Sequence, residues 1–469
     1  MDEVSSPVLT EELREAHRSL SEVDLRFREY ASASPQLLSY AEFRVPESYR
    51  EMLSFRLQPW PTFIDRHKRE EIARVSVAVS DLVKSVPHRV FGGDPVAVSR
   101  FYGLASPEEA EDLLSEPNGI AEIVARGDLI ATADGFKCIE FNFATRLGGW
   151  ESTILSSLHL SSPAIIRFLQ QEGIRPAVTP TTRCFFRHIL EEVERRGLAR
   201  GVGVNIAFAF HERLARTPII IQGVARLGAE WDQVCRETGR QGKGRLLAAT
   251  WQELSPGSSG QGLSCRGLPV HAVVEQTTEP VPEPVYRCFK EGGTCLFNTP
   301  VTTILTSKMN VALLSEHEGS GRFSPEEREV IRRHIPWSRR VVRDTVDFRG
   351  ETAYLPDLLA ARKEDMVLKE AQNLGGKGVA VGRFTAADRW ADLCRSALEN
   401  GEWIVQEYLE STSYLFQSGD HGCTPHNVIW GPFVFGSTYA GLILRMQSKA
   451  VPGVVNLSQT ATEGVVFEV

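Results

Sequence analysis

Two apolar segments, Asp128-Leu-Ile-Ala-Thr-Ala133 and Lys137-Cys-Ile-Glu-Phe-Asn142, flank the turn signal Asp134-Gly135. An Asp-Gly pair between such runs marks a β-hairpin, because its tight turn needs the positive φ that glycine adopts freely. Pairing across this turn brings Asp128 near Glu140. Asn142 then shares the face of Glu140, and Arg126 shares that of Asp128, since strand side chains repeat every second residue. Glu140 sits between Ile139 and Phe141, and a half-buried carboxylate needs a partner to offset its lost hydration. The fold must therefore bring a cation or a metal to this hairpin, or leave it as a salt-bridged surface ribbon.

The residue types narrow the choice. Two carboxylates and an amide oxygen make a hard, all-oxygen set, suited to Mg²⁺ shared with phosphate oxygens and unsuited to zinc. Arg126 on the same face could neutralise charge that builds on a transferring phosphoryl group.

At 469 residues the chain exceeds one ordinary core. Residues 8–90 carry apolar residues at helical spacing, strongest in Lys68–Val86. The segments 203–210, 245–250 and 271–276 read as buried strands alternating with helices, which predicts a parallel α/β layer. Ser255–Gly262 reads as a solvated loop. Later come an amphipathic helix in Ser307–His317 and a helix opened by Ser324 and Glu327 as a capping box. A helix around 386–399 and a tail of alternating antiparallel strands complete the pattern. The expected division is a helical region over 1–115, a hairpin unit over 116–165, a central α/β unit over 166–285 and a closing unit over 286–469. The fold class is α/β.

In the closing unit, Val367-Leu-Lys-Glu-Ala-Gln-Asn-Leu-Gly-Gly-Lys-Gly-Val-Ala-Val-Gly382 places two β-type segments around Gly375, Gly376, Lys377 and Gly378. Such glycines can present successive backbone N–H groups to an anion, and Lys377 adds charge. Taken alone, the stretch reads as a plain hairpin. Lys369 projects from the leading strand. Lys308, heading its helix, reads in isolation as a solvated surface lysine. Trp403–Glu410 is an apolar strand whose Gln406, Glu407, Tyr408 and Leu409 could meet a base edge, with Glu407 or Glu410 near a ribose.

Arg-x-Asp, eleven residues, then Glu-x-Asn resembles the metal-binding strand pair of ATP-grasp ligases. In most of that family the pair follows the lysine strand, the glycine loop and the adenine hinge. Here it precedes all three, which is similar to the circularly permuted group that includes glutathionylspermidine synthetase and eukaryotic glutathione synthetase. The resemblance covers roughly 120–160 and 286–469, and implies a permuted ATP-grasp fold with 166–285 as a pre-ATP-grasp-like unit. It further implies ATP and two Mg²⁺ ions as cofactors, with Asp128, Glu140 and Asn142 as metal ligands. Arg126, and less directly Arg445, would stabilise the phosphoryl group. Lys308 and Lys369 would contact ATP phosphates under a loop formed by Gly375, Gly376, Lys377 and Gly378. Gln406, Glu407, Tyr408 and Leu409 would form the adenine hinge, and Asn456 another polar position on a closing strand. Arg146, Trp150 and Glu151 follow the metal strand, where an acceptor substrate would lie, and Arg146 is the candidate carboxylate clamp.

The implied chemistry is ATP-dependent ligation of a carboxylate to an amine through an acyl phosphate. The carboxylate could be an amino acid, a small peptide or a specialised-metabolite intermediate. A small-molecule kinase and an inactive nucleotide-binding scaffold are the alternatives. No Ser/His/Asp set or nucleophilic cysteine is needed, and His211, His271, His421 and His426 read as surface or structural.

A net charge of −8, from 52 Lys and Arg against 60 Asp and Glu, argues against a general nucleic-acid partner. No apolar run is long enough for a bilayer and no apolar leader stands at the start, so the expectation is a cytoplasmic protein without a membrane partner. Eight scattered cysteines, none in C-x-x-C, are expected as reduced thiols. Oligomeric state is left open, a homodimer included.

Overall fold

In the computed structural model the hairpin forms from Val124–Thr132 and Gly135–Phe143, with Gly135 at φ 96°. The described residues are 9–43, 45–47, 55–116, 122–199, 203–240, 242, 244–257, 262–373, 377–419, 422–451, 453–455 and 461–469. Register pairs Arg126 with Asn142 and Asp128 with Glu140, and then slips, so that Leu129 faces Cys138. Ile139 is the extra residue of a β-bulge, and its backbone leaves the regular ladder.

The hairpin is completed by strands from the far end of the chain. Gly422–Phe435 pairs antiparallel with Val124–Thr132 on one side and with Thr438–Ser448 on the other. Thr462–Gly464 follows, and Arg56–Leu57 closes the edge of this seven-stranded sheet, while Ser413–Ser418 pairs with Gly422–Phe435 off the main path. The helix Arg66–Phe91 packs on this sheet. Asp65 caps its first turn by accepting from Lys68 N at 2.7 Å, and Gly92 ends it at φ 67°.

The central layer is parallel, as its buried apolar segments predict. Its strands run in the order Cys295–Phe297, Ala272–Gln276, Ile206–Phe210, Leu246–Ala249. Helices Thr181–Arg195 and Pro218–Glu237 bury one face through Phe185, Phe186 and Trp231, and Trp251, Val285 and Phe289 cover the other. Covering both faces is what a parallel sheet requires. A separate antiparallel sheet, ordered Ser338–Arg340, Trp403–Glu407, Met366–Glu370, Val379–Val381, carries Lys369 over a core of Trp390, Leu368 and Val405.

Three local expectations change. The helical reading of the first region misses Arg56–Leu57 and Thr62–Ile64, which pair parallel with Thr462–Gly464 and Val466–Glu468. Strands this short carry no periodic signal and exist through their distant partners. Leu254–Pro256 is a strand rather than the start of a loop, and 258–261 lie outside the described residues. The helix Met309–Glu316 is not amphipathic, because Met309 to Leu314 are all buried. Among the described residues no helix is long and apolar enough to cross a membrane.

Candidate active site

Where the hairpin sheet faces the lysine sheet, they enclose a cleft of about 210 Å³. Arg126, Asp128, Glu140 and Asn142 line one wall, and Lys369 with Gln406 to Leu409 line the other. Arg445 reaches the same space from Thr438–Ser448.

Asp128 is buried between two guanidinium groups. Arg445 Nη2 lies 2.5 Å and Arg126 Nε 3.2 Å from its Oδ1. Burial alone would raise its carboxyl, but Arg445 and then Arg126 outweigh burial and hold it below its ordinary range. Burial, reinforced by Arg445, draws the Arg126 guanidinium below its usual value. Glu140 Oε1 is 3.3 Å from Lys308 Nζ. Lys308 is buried rather than solvated, and its ammonium also donates to the Asn373 carbonyl. Asn142 is buried, and its side chain makes no hydrogen bond among the described residues.

Lys369 Nζ donates to the Ile139 carbonyl at 2.9 Å and to Gln406 Oε1 at 2.7 Å. The bulge supplies that carbonyl, since Ile139 is unpaired in its own ladder. Gln406 is in turn fixed by donating to Ser338 Oγ at 3.0 Å, so its side chain positions the lysine. Burial pushes the Lys369 ammonium down to about 8, with Glu140 opposing and Lys308 adding to the fall.

On the hinge stretch, the N–H of Glu407 donates to Trp337 O at 2.8 Å and that of Tyr408 to Asp365 O at 2.7 Å. Neither is available to a base edge. The Leu409 N–H has no partner among the described residues. The Glu407 carboxylate is held by Arg349 at 2.7 Å, and Arg383 stacks over the Tyr408 ring at 4.0 Å. Gly375 and Gly376 lie outside the described residues, as does Asn456. Lys377 is exposed, and Gly378 has φ 67°, where a Cβ would come within 2.7 Å of Glu370.

Arg146 lies 3.8 Å from Glu275 Oε1 and is not among the residues lining this cleft. Trp150 and Glu151 follow Gly148 and Gly149, whose φ values of 82° and 88° suit only glycine. Trp150 packs edge-on against Phe185 and Phe208. Glu151 Oε1 accepts from Gly149 N at 2.8 Å.

Two residues escape the sequence reading. Asn427 lines the cleft, and Glu463 pairs in register with Arg445. Glu463 is almost fully buried, and its carboxyl is held well above the ordinary range by burial and then by Glu151, against Arg126 and Arg445. A lone glutamate in the apolar tail Thr462-Glu-Gly-Val-Val-Phe467 was the available signal, by the same rule that singles out Glu140. Cys138 is buried within the hairpin, and burial raises its thiol to about 12, which removes it as a nucleophile.

Four cations, Arg126, Arg445, Lys308 and Lys369, thus converge on the carboxylates of Asp128 and Glu140, while burial and Glu151 push the Glu463 carboxyl upward. An anion entering the cleft would meet these cations. The oxygen donors of Asp128, Glu140 and Asn142 fit a hard divalent cation bridging such an anion. Among the described residues no group of three or more His, Cys, Asp or Glu is arranged to hold a metal, so a metal here would depend on the amide or the ligand for donors.

No protein-family model matches the chain, and no curated protein matches it in sequence. Among solved structures it is similar to a glutathione synthetase-like effector (GSS30) from Globodera pallida in its apoform, with 12% identity, 99% of each chain covered and a TM-score of 0.56. A provisionally named gamma-glutamylcysteine synthetase from Methylobacillus flagellatus KT gives 11% identity over 82% of this chain and 85% of that one, with a TM-score of 0.37. The first likeness runs the whole length of both chains and establishes a shared mixed α/β fold, that of the glutathione synthetase-like effector.

Proposed function

We propose that the chain is a circularly permuted ATP-grasp ligase that joins a carboxylate to an amine at the expense of ATP, releasing ADP and phosphate. The observation that carries this reading is the meeting of the early hairpin with the late lysine strand in one cationic cleft. Triphosphate matches the surplus charge, and Lys308 and Lys369 are the residues to contact it. Leu409, whose N–H has no partner among the described residues, would offer it to a base edge. Asp128, Glu140 and Asn142 would hold Mg²⁺, which supplies charge neutralisation on the phosphate oxygens when bound.

The rest is positioning. Arg126 and Arg445, already desolvated and fixed by Asp128, stabilise negative charge that develops as the γ-phosphoryl group moves to the substrate carboxylate. Because both guanidinium groups are preorganised, they need little reorganisation at the moment of transfer. The buried walls limit water, which would otherwise hydrolyse an acyl phosphate before the amine attacks. An amine then forms the C–N bond as the C–O bond to phosphate breaks.

The test is Mg²⁺-dependent ADP release by the full chain with pooled amino acids and amines, with products identified by mass spectrometry. An amide product with stoichiometric ADP supports the ligase. A stable phosphorylated product would assign a kinase instead, and no acceptor-dependent ADP release would reject both.

A further inference from the structure

A second cavity among the described residues is separate from the nucleotide cleft. It measures about 830 Å³ and lies between the helices Ser152–Leu160 and Pro218–Glu237. Phe210 and Gln276, the last residues of two neighbouring parallel strands, form part of its lining. Ile206–Phe210 is the first strand of the layer along the chain. The next, Leu246–Ala249, lies on one side of it, and the third, Ala272–Gln276, lies on the other. The direction of winding reverses between Phe210 and Gln276. In parallel sheets the crevice beyond the carboxyl ends at such a reversal is where ligands bind, because the diverging connections leave space there. The volume is that of a small-molecule site.

Its walls are mostly apolar: Ile154, Leu158, Phe208, Phe210, Ile219 and Ile220. Three charged side chains join them. Glu230 is tied to Arg183 at 2.5 Å, and Arg226 is itself engaged. Glu151 differs. Among the described residues no cation pairs with it, and its neighbour is the Glu463 carboxyl. Glu463 stands in register with Arg445, which lines the nucleotide cleft, so Glu151 marks the end of the cavity nearest the phosphoryl-transfer site. A carboxylate that lines a cavity and has no cationic partner among the described residues suits an ammonium ligand.

We infer that this cavity takes the amine substrate, and that this substrate carries its amine on a bulky apolar body, aromatic or branched aliphatic, with the ammonium end at Glu151. The inference rests on the ligase reading for the amine's fate, but the binding itself does not require ATP. A small hydrophilic amine would leave the apolar walls wet and gain little from them. An apolar body displaces that water, and each methylene it adds contributes to discrimination.

The experiment is calorimetric titration of the full chain, without nucleotide, using leucinamide, phenylalaninamide, glycinamide and 3-phenylpropionate. Leucinamide and phenylalaninamide are expected to bind at least about tenfold more tightly than glycinamide, and 3-phenylpropionate more weakly than phenylalaninamide. Ile219 is partly exposed at 38%, so Ile219→Gln should fold normally while weakening leucinamide binding severalfold. Glu151→Gln should erase the preference for phenylalaninamide over 3-phenylpropionate. Equal affinity for leucinamide and glycinamide, or no effect of Ile219→Gln in a protein with unchanged Tm, overturns the inference even if ADP release with other amines upholds the ligase. Tight binding of the apolar amines without ADP release when ATP, Mg²⁺ and pooled amino-acid carboxylates are added with them upholds the cavity's ligand class and removes the ligase reading.

Discussion

The Lys369 ammonium donates to the carbonyl of Ile139 at 2.9 Å, across a separation of 230 residues in the chain. That single bond joins the two sheets at the cleft. It depends on a bulge that frees one backbone oxygen and on a lysine kept dry beside Gln406.

Burial lowers Lys369 to about 8, so its charge is lost from the free protein as pH rises through that value. If its ammonium meets phosphate, log Kd for ATP should be flat below pH 7 and rise above 8 with a slope approaching about +1 per pH unit. Titration at fixed Mg²⁺ checks this. A flat profile to pH 9.5 would place Lys369 outside the nucleotide contacts. The sign for stability is opposite: the folded ammonium is disfavoured relative to the unfolded one, so its cost is present below 8 and relieved between about 8 and 10.5.

Asp128→Asn and Glu140→Gln keep the side-chain shapes and remove the negative charges. Each should lower turnover by about 100-fold or more and raise the Mg²⁺ concentration needed for half-maximal activity. Activity measured against Mg²⁺ distinguishes the two effects. Unchanged turnover in both variants would falsify the metal assignment.

Arg146 does not line the cleft that holds Lys369, and lies 3.8 Å from Glu275. If it clamps the substrate carboxylate, Arg146→Ala should raise the KM for that substrate about tenfold or more while moving the ATP KM by less than about threefold. Equal changes in the two constants would remove the clamp.

Asp24, which does not line the cleft, is fully buried between His17 Nδ1 at 2.6 Å and Arg28 Nη2 at 3.1 Å, and also accepts from Phe63 N at 2.8 Å. His17 Nε2 accepts from Leu415 N at 2.9 Å, which ties the helix Glu11–Arg18 to Ser413–Ser418. Asp24→Ala strands the Arg28 guanidinium in the core and should cost about 3–5 kcal/mol, read as a lower urea midpoint with m unchanged. A shift below about 1 kcal/mol would show that water or a rearranged partner replaces the carboxylate.

What the sequence determined by itself is local. Asp134-Gly135 sets a turn, alternation puts Arg126, Asp128, Glu140 and Asn142 on one face, and Ser324 with Glu327 caps a helix. Each follows from backbone geometry within a few residues. The tertiary structure alone decided which cations answer the hairpin's charges, because Arg445 and Lys308 arrive from elements whose register is set by distant strands. It also decided the bulge at Ile139, the burial of Lys308 and the company of Glu463. Periodicity reports which face of a segment is dry, but not what packs against it. That depends on the free energy of closing long loops around a shared core, which no short stretch encodes.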